Sequence, residues 1–515
     1  MFHSLPQTSF QRGFPLTKTP DDSNEQGNNK SGLNPSRRGF IQATAATVAG
    51  GYLTSSTAPA RGMFAGYRDA NEQPVVGFIG TGIRYHTYLG KAAMGFGPSV
   101  GVADVDAVQG GRALQVCFDV HREKKRPLDL KMYSDYRSIL DRKEVDVVVI
   151  ASPDHWHTKM AIDAMRAGKD VYCEKPLTLT IREGQQIYKV MKETGRVFQV
   201  GTQQRSEFAH RFVKAAGIAR EERVGKIKTV TTAFGGSRIS GVIPVAEVPK
   251  SLDWEKWLGQ APLVDYREAP TMVDTEGWGA GHNFGRAHRY YRWFYEYSGG
   301  KLTDWGAHHV DVALWAMDRL GDDAGKVVID PLRVVHPVPF VDGMPTKDDQ
   351  FNCATGFKVQ LTFEDGLIMN VVDTADTDET PLGFKNGIMF EGEKGRYFVN
   401  RGKLTGKAAE ALEKDPIKED TLKSLYASGN VPMGEGDDHN LANMKSFMDC
   451  VKSRETPSSD VLSHNRTMNI CHGINVAMRL GRKLTWDTKA ETFVGDEKAN
   501  TFIEREQRAG YEIDA

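Results

Sequence analysis

His308 lies between two carboxylates in the run Gly299-Gly300-Lys301-Leu302-Thr303-Asp304-Trp305-Gly306-Ala307-His308-His309-Val310-Asp311. As a helix, this run has i, i+4, i+7 spacing that puts Asp304, His308 and Asp311 on one face, while His309 points roughly 100° away. An imidazole with an ordinary pKa of about 6.5 can take the proton of a hydroxyl near neutral pH. Asp304 beside it would orient the ring and stabilise its cation, or hold a neighbouring hydroxyl. A metal site on these three side chains is disfavoured, because the adjacent histidines diverge on a helix and the sequence holds no HxxxH pair.

A second set of chemistry-bearing residues lies upstream. Val75–Ile79 reads as a strand and runs directly into Gly80-Thr81-Gly82, where glycines permit a tight turn and let backbone approach a pyrophosphate at a helix N-terminus. Tyr85 stands where the third glycine of such a fingerprint would be, predicting looser contact between helix and strand. Asp104 ends the next strand, where a carboxylate would bond ribose hydroxyls and repel a 2′-phosphate, favouring NAD over NADP. Lys175 follows a later strand in Cys173-Glu174-Lys175-Pro176. Desolvation and a positively charged ring nearby would lower the pKa of such a lysine and let it polarise a substrate oxygen.

These residues need a scaffold that delivers strand ends to one crevice. Val75–Ile79, Val100–Ala103, Val145–Ile150, Val171–Cys173 and Val197–Val200 are short valine- and isoleucine-rich runs separated by helical stretches, as expected for strands buried on both faces of a parallel sheet. The expected fold class is α/β. A Rossmann-type doubly wound sheet spans residues 74–205, followed by a C-terminal α+β domain, 206–515, with an open, largely antiparallel sheet. In the second domain a helix is predicted at Glu207–Arg220, strands at Ile227–Phe234, Asn352–Phe363, Gly366–Asp373 and Gly387–Glu391, and a helix at Asp304–Leu320 with Asp304 near its N-cap. The turn Glu364-Asp365-Gly366 makes two of these strands a hairpin. Aromatic residues are dense from Trp278 to Tyr297 and suit the apolar faces of pyranose rings, with Arg286, Arg289 and Arg292 available for hydroxyls or a carboxylate.

The chain of 515 residues has a formal net charge of −1, which argues against nucleic acid or an anionic membrane surface as partner. It has no apolar run long enough to span a bilayer. Five scattered cysteines without CxxC spacing argue against a disulfide framework or a zinc site. Residues 1–60 read as a polar segment followed by an export signal. Ser36-Arg37-Arg38-Gly39-Phe40 precedes a mild apolar run from Ala43 to Leu53 and a small-residue site at Ala58-Pro59-Ala60, the pattern of twin-arginine export to an extracytoplasmic or periplasmic location. Residues 61–73 read as a linker. Because free NAD is scarce outside the cytoplasm, export points to a tightly held cofactor.

The motifs Gly80-Thr81-Gly82, Asp104, Pro153…His157, Ala167-Gly168-Lys169-Asp170-Val171-Tyr172-Cys173-Glu174-Lys175-Pro176 and Asp304…His308, in this order, resemble those of the Gfo/Idh/MocA oxidoreductases. That family includes glucose–fructose oxidoreductase and inositol dehydrogenase, and the resemblance runs from about Pro74 to the C-terminus. It implies that Lys175, Asp304 and His308 are catalytic. The expected cofactor set is Gly80, Thr81, Gly82, Ile83, Arg84, Asp104, Pro153, Asp154, His157, Glu174 and Lys175, and the expected substrate set is Arg205, Tyr291 and Asp311. It further implies a homo-oligomer and hydride transfer between a secondary hydroxyl of a sugar, cyclitol or glycoside and NAD. Redox-neutral glycoside cleavage, sugar–sugar oxidoreduction with a trapped cofactor, and non-catalytic sugar binding remain as alternatives.

Overall fold

The structure is a computed structural model and describes residues 73–274, 282–321, 324–378, 380–432 and 441–514. The paired arginines, the apolar run after them and Trp278 lie outside the described residues.

Six short strands form a parallel sheet: β1 (Val76–Ile79), β2 (Ser99–Ala103), β3 (Lys131–Tyr133), β4 (Val147–Ile150), β5 (Asp170–Cys173) and β6 (Phe198–Val200). Their order, β3-β2-β1-β4-β5-β6, reverses between β1 and β4, which opens a crevice at the strand carboxyl ends. The alternating side chains of these strands supply two cores. Val147 and Val149 of β4 pack with Val76, Phe78, Leu89 and Cys117 on one face. Val148 and Ile150 pack with Ile79, Trp156, Met160 and Ile187 on the other. Covering both faces explains why these strands read as continuous apolar runs. The helix Ala442–Ser453 returns from far along the chain and adds Met444, Phe447 and Met448 to the first core, so late residues complete the early domain.

Where a third glycine was expected, Tyr85 opens the first helix into a π-helical turn, Tyr85–Leu89. Its ring is buried, edge-on to Phe78 at 5.1 Å, and its hydroxyl donates to the Ala113 carbonyl at 3.1 Å. The expected looseness is absent, because the wider turn makes room for the ring and fills the gap.

The second sheet has nine strands in the order Leu404–Thr405, Gly395–Val399, Gly387–Gly392, Ile227–Ala233, Ile368–Val372, Gly356–Phe363, Lys326–Val335, Leu484–Asp487 and Thr492–Phe493. All its pairings are antiparallel except that of Ile227–Ala233 with Ile368–Val372. The predicted hairpin forms, with Gly366 at φ +83° where a side chain would be strained. Phe357, Val359, Leu361 and Phe363 turn inward against the helices Arg211–Arg220, Gly300–Ala316 and Val461–Leu480, while Lys358, Gln360 and Thr362 alternate outward. The helix carrying the acid/base residues therefore starts at Gly300, with Gly300 at φ +70°, and Asp304 lies inside its second turn rather than at its cap. Among the described residues, no helix is long and apolar enough to cross a membrane.

Candidate active site

One cavity of about 1150 Å³ runs from the turn after β1 to the Gly300–Ala316 helix. It is lined by Gly80, Thr81, Gly82, Ile83, Arg84, Asp104 and Arg112 from the parallel-sheet domain, and by Lys175, Tyr291, Arg292, Lys301, Asp304, Trp305, His308 and Arg401. Pro153, Asp154, His157 and Glu174 line it as well. Thus the structure gathers every expected cofactor and catalytic residue, and Tyr291, around one space.

The turn suits a dinucleotide. Gly80 has φ +75°, and a Cβ there would lie 2.5 Å from the Ser152 backbone nitrogen, so glycine is required. A Cβ at Gly82 would meet nothing within 4 Å, which leaves the backbone open to close approach by a ligand. Asp104 braces this turn: its Oδ2 accepts from the Thr81 N–H and hydroxyl, each at 2.8 Å, and its Oδ1 from the Asp106 N–H at 2.9 Å. Burial raises its pKa above the ordinary value, against those hydrogen bonds. These groups fit a bound NAD, with Gly80–Gly82 against the pyrophosphate and Asp104 beside the ribose.

Lys175 Nζ bonds the Asp304 carboxylate and also donates to the Asp304 backbone carbonyl at 3.0 Å. Arg292 approaches the other carboxylate oxygen at 3.6 Å. Burial alone would raise the Asp304 pKa, but Lys175, Arg292 and Lys301 hold it well below the usual carboxylate range. Asp304 consequently fixes Lys175, and no hydrogen bond to His308 is formed. The expectation that Asp304 orients the imidazole is corrected: the stronger attraction of three cations takes the carboxylate first. His308 lies edge-on to Trp305, its Nδ1 is enclosed without a hydrogen-bond partner, and Nε2 is the nitrogen left for the cavity. Burial first, then Arg401 and Lys175, push its pKa well below 6.5, so the ring is neutral.

Tyr291 and Asp154 form a unit. The Tyr291 hydroxyl donates to Asp154 Oδ1 at 2.9 Å and the Ser298 hydroxyl to Oδ2 at 2.5 Å. Through these bonds Asp154, which also lines the cavity, positions Tyr291. His157 is likewise committed, its Nδ1 lying 2.7 Å from the Pro176 carbonyl and its Nε2 2.9 Å from that of Ser152. It straps the loop after β5, which carries Lys175, to the loop after β4. Glu174 accepts from Arg84 at 2.7 Å and Gln203 at 3.2 Å, tying the first helix to the same loop.

Two expected substrate residues are elsewhere. Arg205 and Asp311 are absent from the cavity lining and form a buried two-pronged ion pair, with Nε to Oδ2 at 2.8 Å and Nη2 to Oδ1 at 2.6 Å. Thr467 on the Val461–Leu480 helix adds a hydrogen bond to Asp311 at 3.0 Å. Burial alone would raise the Asp311 pKa, but Arg205 overcomes this and holds it at about 2. The pair fastens helices together behind the site. In its place the cavity gains Gln203, Lys301, Trp305 and Arg401. Lys301 and Trp305 lie in the run that carries His308, but Arg401 carries no local signal; the sheet delivers it from the turn after Gly395–Val399.

The neutral state of His308 sets an expected pH dependence. If it accepts the substrate proton, kcat/KM for oxidation stays level as pH falls through 6.5, with an acid limb below that value. Reduction needs protonated His308 and speeds up as pH falls. A pH–rate profile with an oxidation limb at or above 6.5 would remove His308 as the base.

The family profile described as "Oxidoreductase family, NAD-binding Rossmann fold" matches residues 75–202, and that described as "Oxidoreductase family, C-terminal alpha/beta domain" matches residues 436–513. The chain is similar to levoglucosan dehydrogenase of Pseudarthrobacter phenanthrenivorans, 38% identical over 98 residues covering 18% of this chain and 24% of that protein. It is also similar to alpha-N-acetylgalactosaminidase of Shewanella oneidensis, 27% identical over 174 residues covering 31% and 37%. The chain thus spans less than half the length of these relatives. The solved WlbA dehydrogenase of Bordetella pertussis shares the fold, with a TM-score of 0.51 at 18% identity over 80% of this chain and 97% of that one. Residues 75–202 and 436–513 are thus similar to the two domains of the Gfo/Idh/MocA oxidoreductases.

Proposed function

We propose that the protein is an NAD-dependent oxidoreductase that interconverts a secondary hydroxyl and a ketone on a sugar or cyclitol. The observation that carries this reading is the single cavity joining the Gly80–Gly82 turn to Lys175, Asp304 and His308. When bound, NAD supplies the hydride acceptor. Lys175, anchored by Asp304, holds the reacting oxygen through its ammonium protons. Neutral His308 takes the hydroxyl proton on Nε2, and the cations around it oppose a lasting imidazolium, so that proton is readily passed on. Tyr291, fixed by Asp154, presents an aromatic wall to the ring. Glu174 and His157 keep the Lys175 loop in register with the strand ends. The Asp104 carboxylate disfavours a 2′-phosphate and so selects NAD.

Redox-neutral glycoside cleavage through a retained nucleotide is a second reading, favoured by the similarity to a relative named as a glycosidase. Export through Arg37-Arg38, which would deprive the enzyme of free NAD, supports that reading as well. Mass spectrometry of products formed from pyranoses, cyclitols and glycosides with added NAD separates the two. A product lighter by one H2 is expected for the oxidoreductase. Hydrolysed glycoside with no ketone product would overturn that reading in favour of the second.

A further inference from the structure

The charges that line the cavity around Lys175 do not cancel. Asp304 is taken by Lys175 and Arg292, Glu174 by Arg84, and Asp154 by two hydroxyls. Two cations remain. Lys301 Nζ lies 5.3 Å and Arg401 Cζ 4.8 Å from the centroid of the same Trp305 ring. Both line the cavity. Among the described residues neither has a carboxylate partner; the Arg401 Nε donates to the neutral Gln204 Oε1 at 3.3 Å. Burial lowers the pKa of both, that of Arg401 to about 10, with added repulsion from Lys175 and Arg292 on Lys301 and from Arg84 on Arg401, against the attraction of Asp304. Two largely buried cations that line a cavity without a carboxylate in ion-pair contact offer a place for an anion.

Lys301 and Arg401 both lie against Trp305, which is one residue from Asp304 and three from His308. They border the place where a substrate held by Lys175 must lie.

We propose that the substrate is an acidic sugar, its anionic group received by Lys301 and Arg401 beside Trp305. This specifies the substrate class within the hydride-transfer reading and rests on it. A carboxylate, as in a uronic acid, and a phosphate ester share the required charge and acceptor oxygens. Arg401 offers a planar fork and Lys301 a single ammonium, a combination that can serve either group.

The test uses isothermal titration of the full-length protein saturated with NAD. Glucuronate, galacturonate and mannuronate, and the 6-phosphates of the same hexoses, are each compared with the parent neutral hexose. At least one acidic sugar is expected to bind about 10-fold or more tightly than its parent, the size of one charge-assisted contact. Whether a uronate or a phosphate leads identifies the acidic group. Lys301→Met and Arg401→Gln are each expected to remove most of that preference and leave NAD affinity within about twofold. Arg401→Lys, which keeps the charge, retains part of it, and thermal unfolding verifies that each variant is folded. The proposal is overturned if every neutral hexose binds as tightly as its acids, if the preference survives both substitutions, or if the substitutions weaken NAD instead, which would assign these cations to the cofactor. Formation of reduced nicotinamide in the same samples reports on the parent reading separately. Tight acidic-sugar binding without any nicotinamide reduction would defeat hydride transfer and leave the anion site standing.

Discussion

Replacing Lys175 with alanine is expected to lower kcat by about 10²- to 10⁴-fold, the usual contribution of a positioned acid or base. NAD affinity is expected to change little, because the Gly80–Gly82 turn and Asp104 form a hydrogen-bonded unit of their own, whereas Lys175 is bonded to Asp304. The case rests on how Lys175 is held. Its ammonium bonds both the carboxylate and the backbone carbonyl of Asp304 and still lines the cavity. The loop that carries it is fixed by His157 and by the Arg84–Glu174 pair. Such a constrained lysine cannot be replaced by a neighbour, since Arg292 is committed to Asp304 and Tyr291. A purely structural Lys175 would show the opposite pattern, a lower unfolding temperature with near-normal turnover. Steady-state kinetics and thermal unfolding of the same variant decide between them.

Asp311→Ala is expected to destabilise the fold by about 3–5 kcal/mol, the cost of leaving a buried charge without its partner. Arg205 and Asp311 are 2% and 0% exposed, so bulk solvent does not screen the charge left behind. Removing both charges in Arg205→Met/Asp311→Leu is expected to recover most of that loss, because no buried charge is then left without its partner. Denaturant unfolding of the single and double variants checks this. A single variant of normal stability with a raised KM would return Asp311 to the substrate site. The linkage has a definite sign: with a folded pKa of about 2, below the unfolded value, Asp311 contributes stability above about pH 4 that is lost as pH falls toward 2.

Much of the scaffold was legible because burial on both faces leaves a plain signature. The runs at Val75–Ile79, Val145–Ile150 and Val171–Cys173 coincide with β1, β4 and β5 to within two residues. β3 was missed: Lys131-Met132-Tyr133 is an edge strand of three residues with no apolar run to mark it. Leu484–Asp487 is similarly short, and only its pairing with Lys326–Val335 makes it a strand.

Within the site, direction rather than proximity separated the successes from the misses. Gln203 and Arg205 share one 3₁₀ turn, where successive side chains diverge by about 120°. Gln203 therefore faces the cavity while Arg205 turns toward the packed helices. Asp311 does share a helical face with Asp304, but seven residues carry it about 10 Å along the axis. That distance takes it past the cavity and against Arg205. Arg401 could not be read at all, since a position in chain order says nothing of which sheet edge meets which helix.

The proposed function requires, before anything else, that this cavity move a hydride. Rapid mixing of NAD-saturated protein with neutral and acidic pyranoses and with cyclitols, following the absorbance of reduced nicotinamide, measures that step for both an exchanging and a retained cofactor. At least one substrate is expected to produce reduced nicotinamide, as steady accumulation or as a single-turnover burst, and Lys175→Ala should abolish it. Sugar binding with no nicotinamide reduction at any time after mixing would contradict the account.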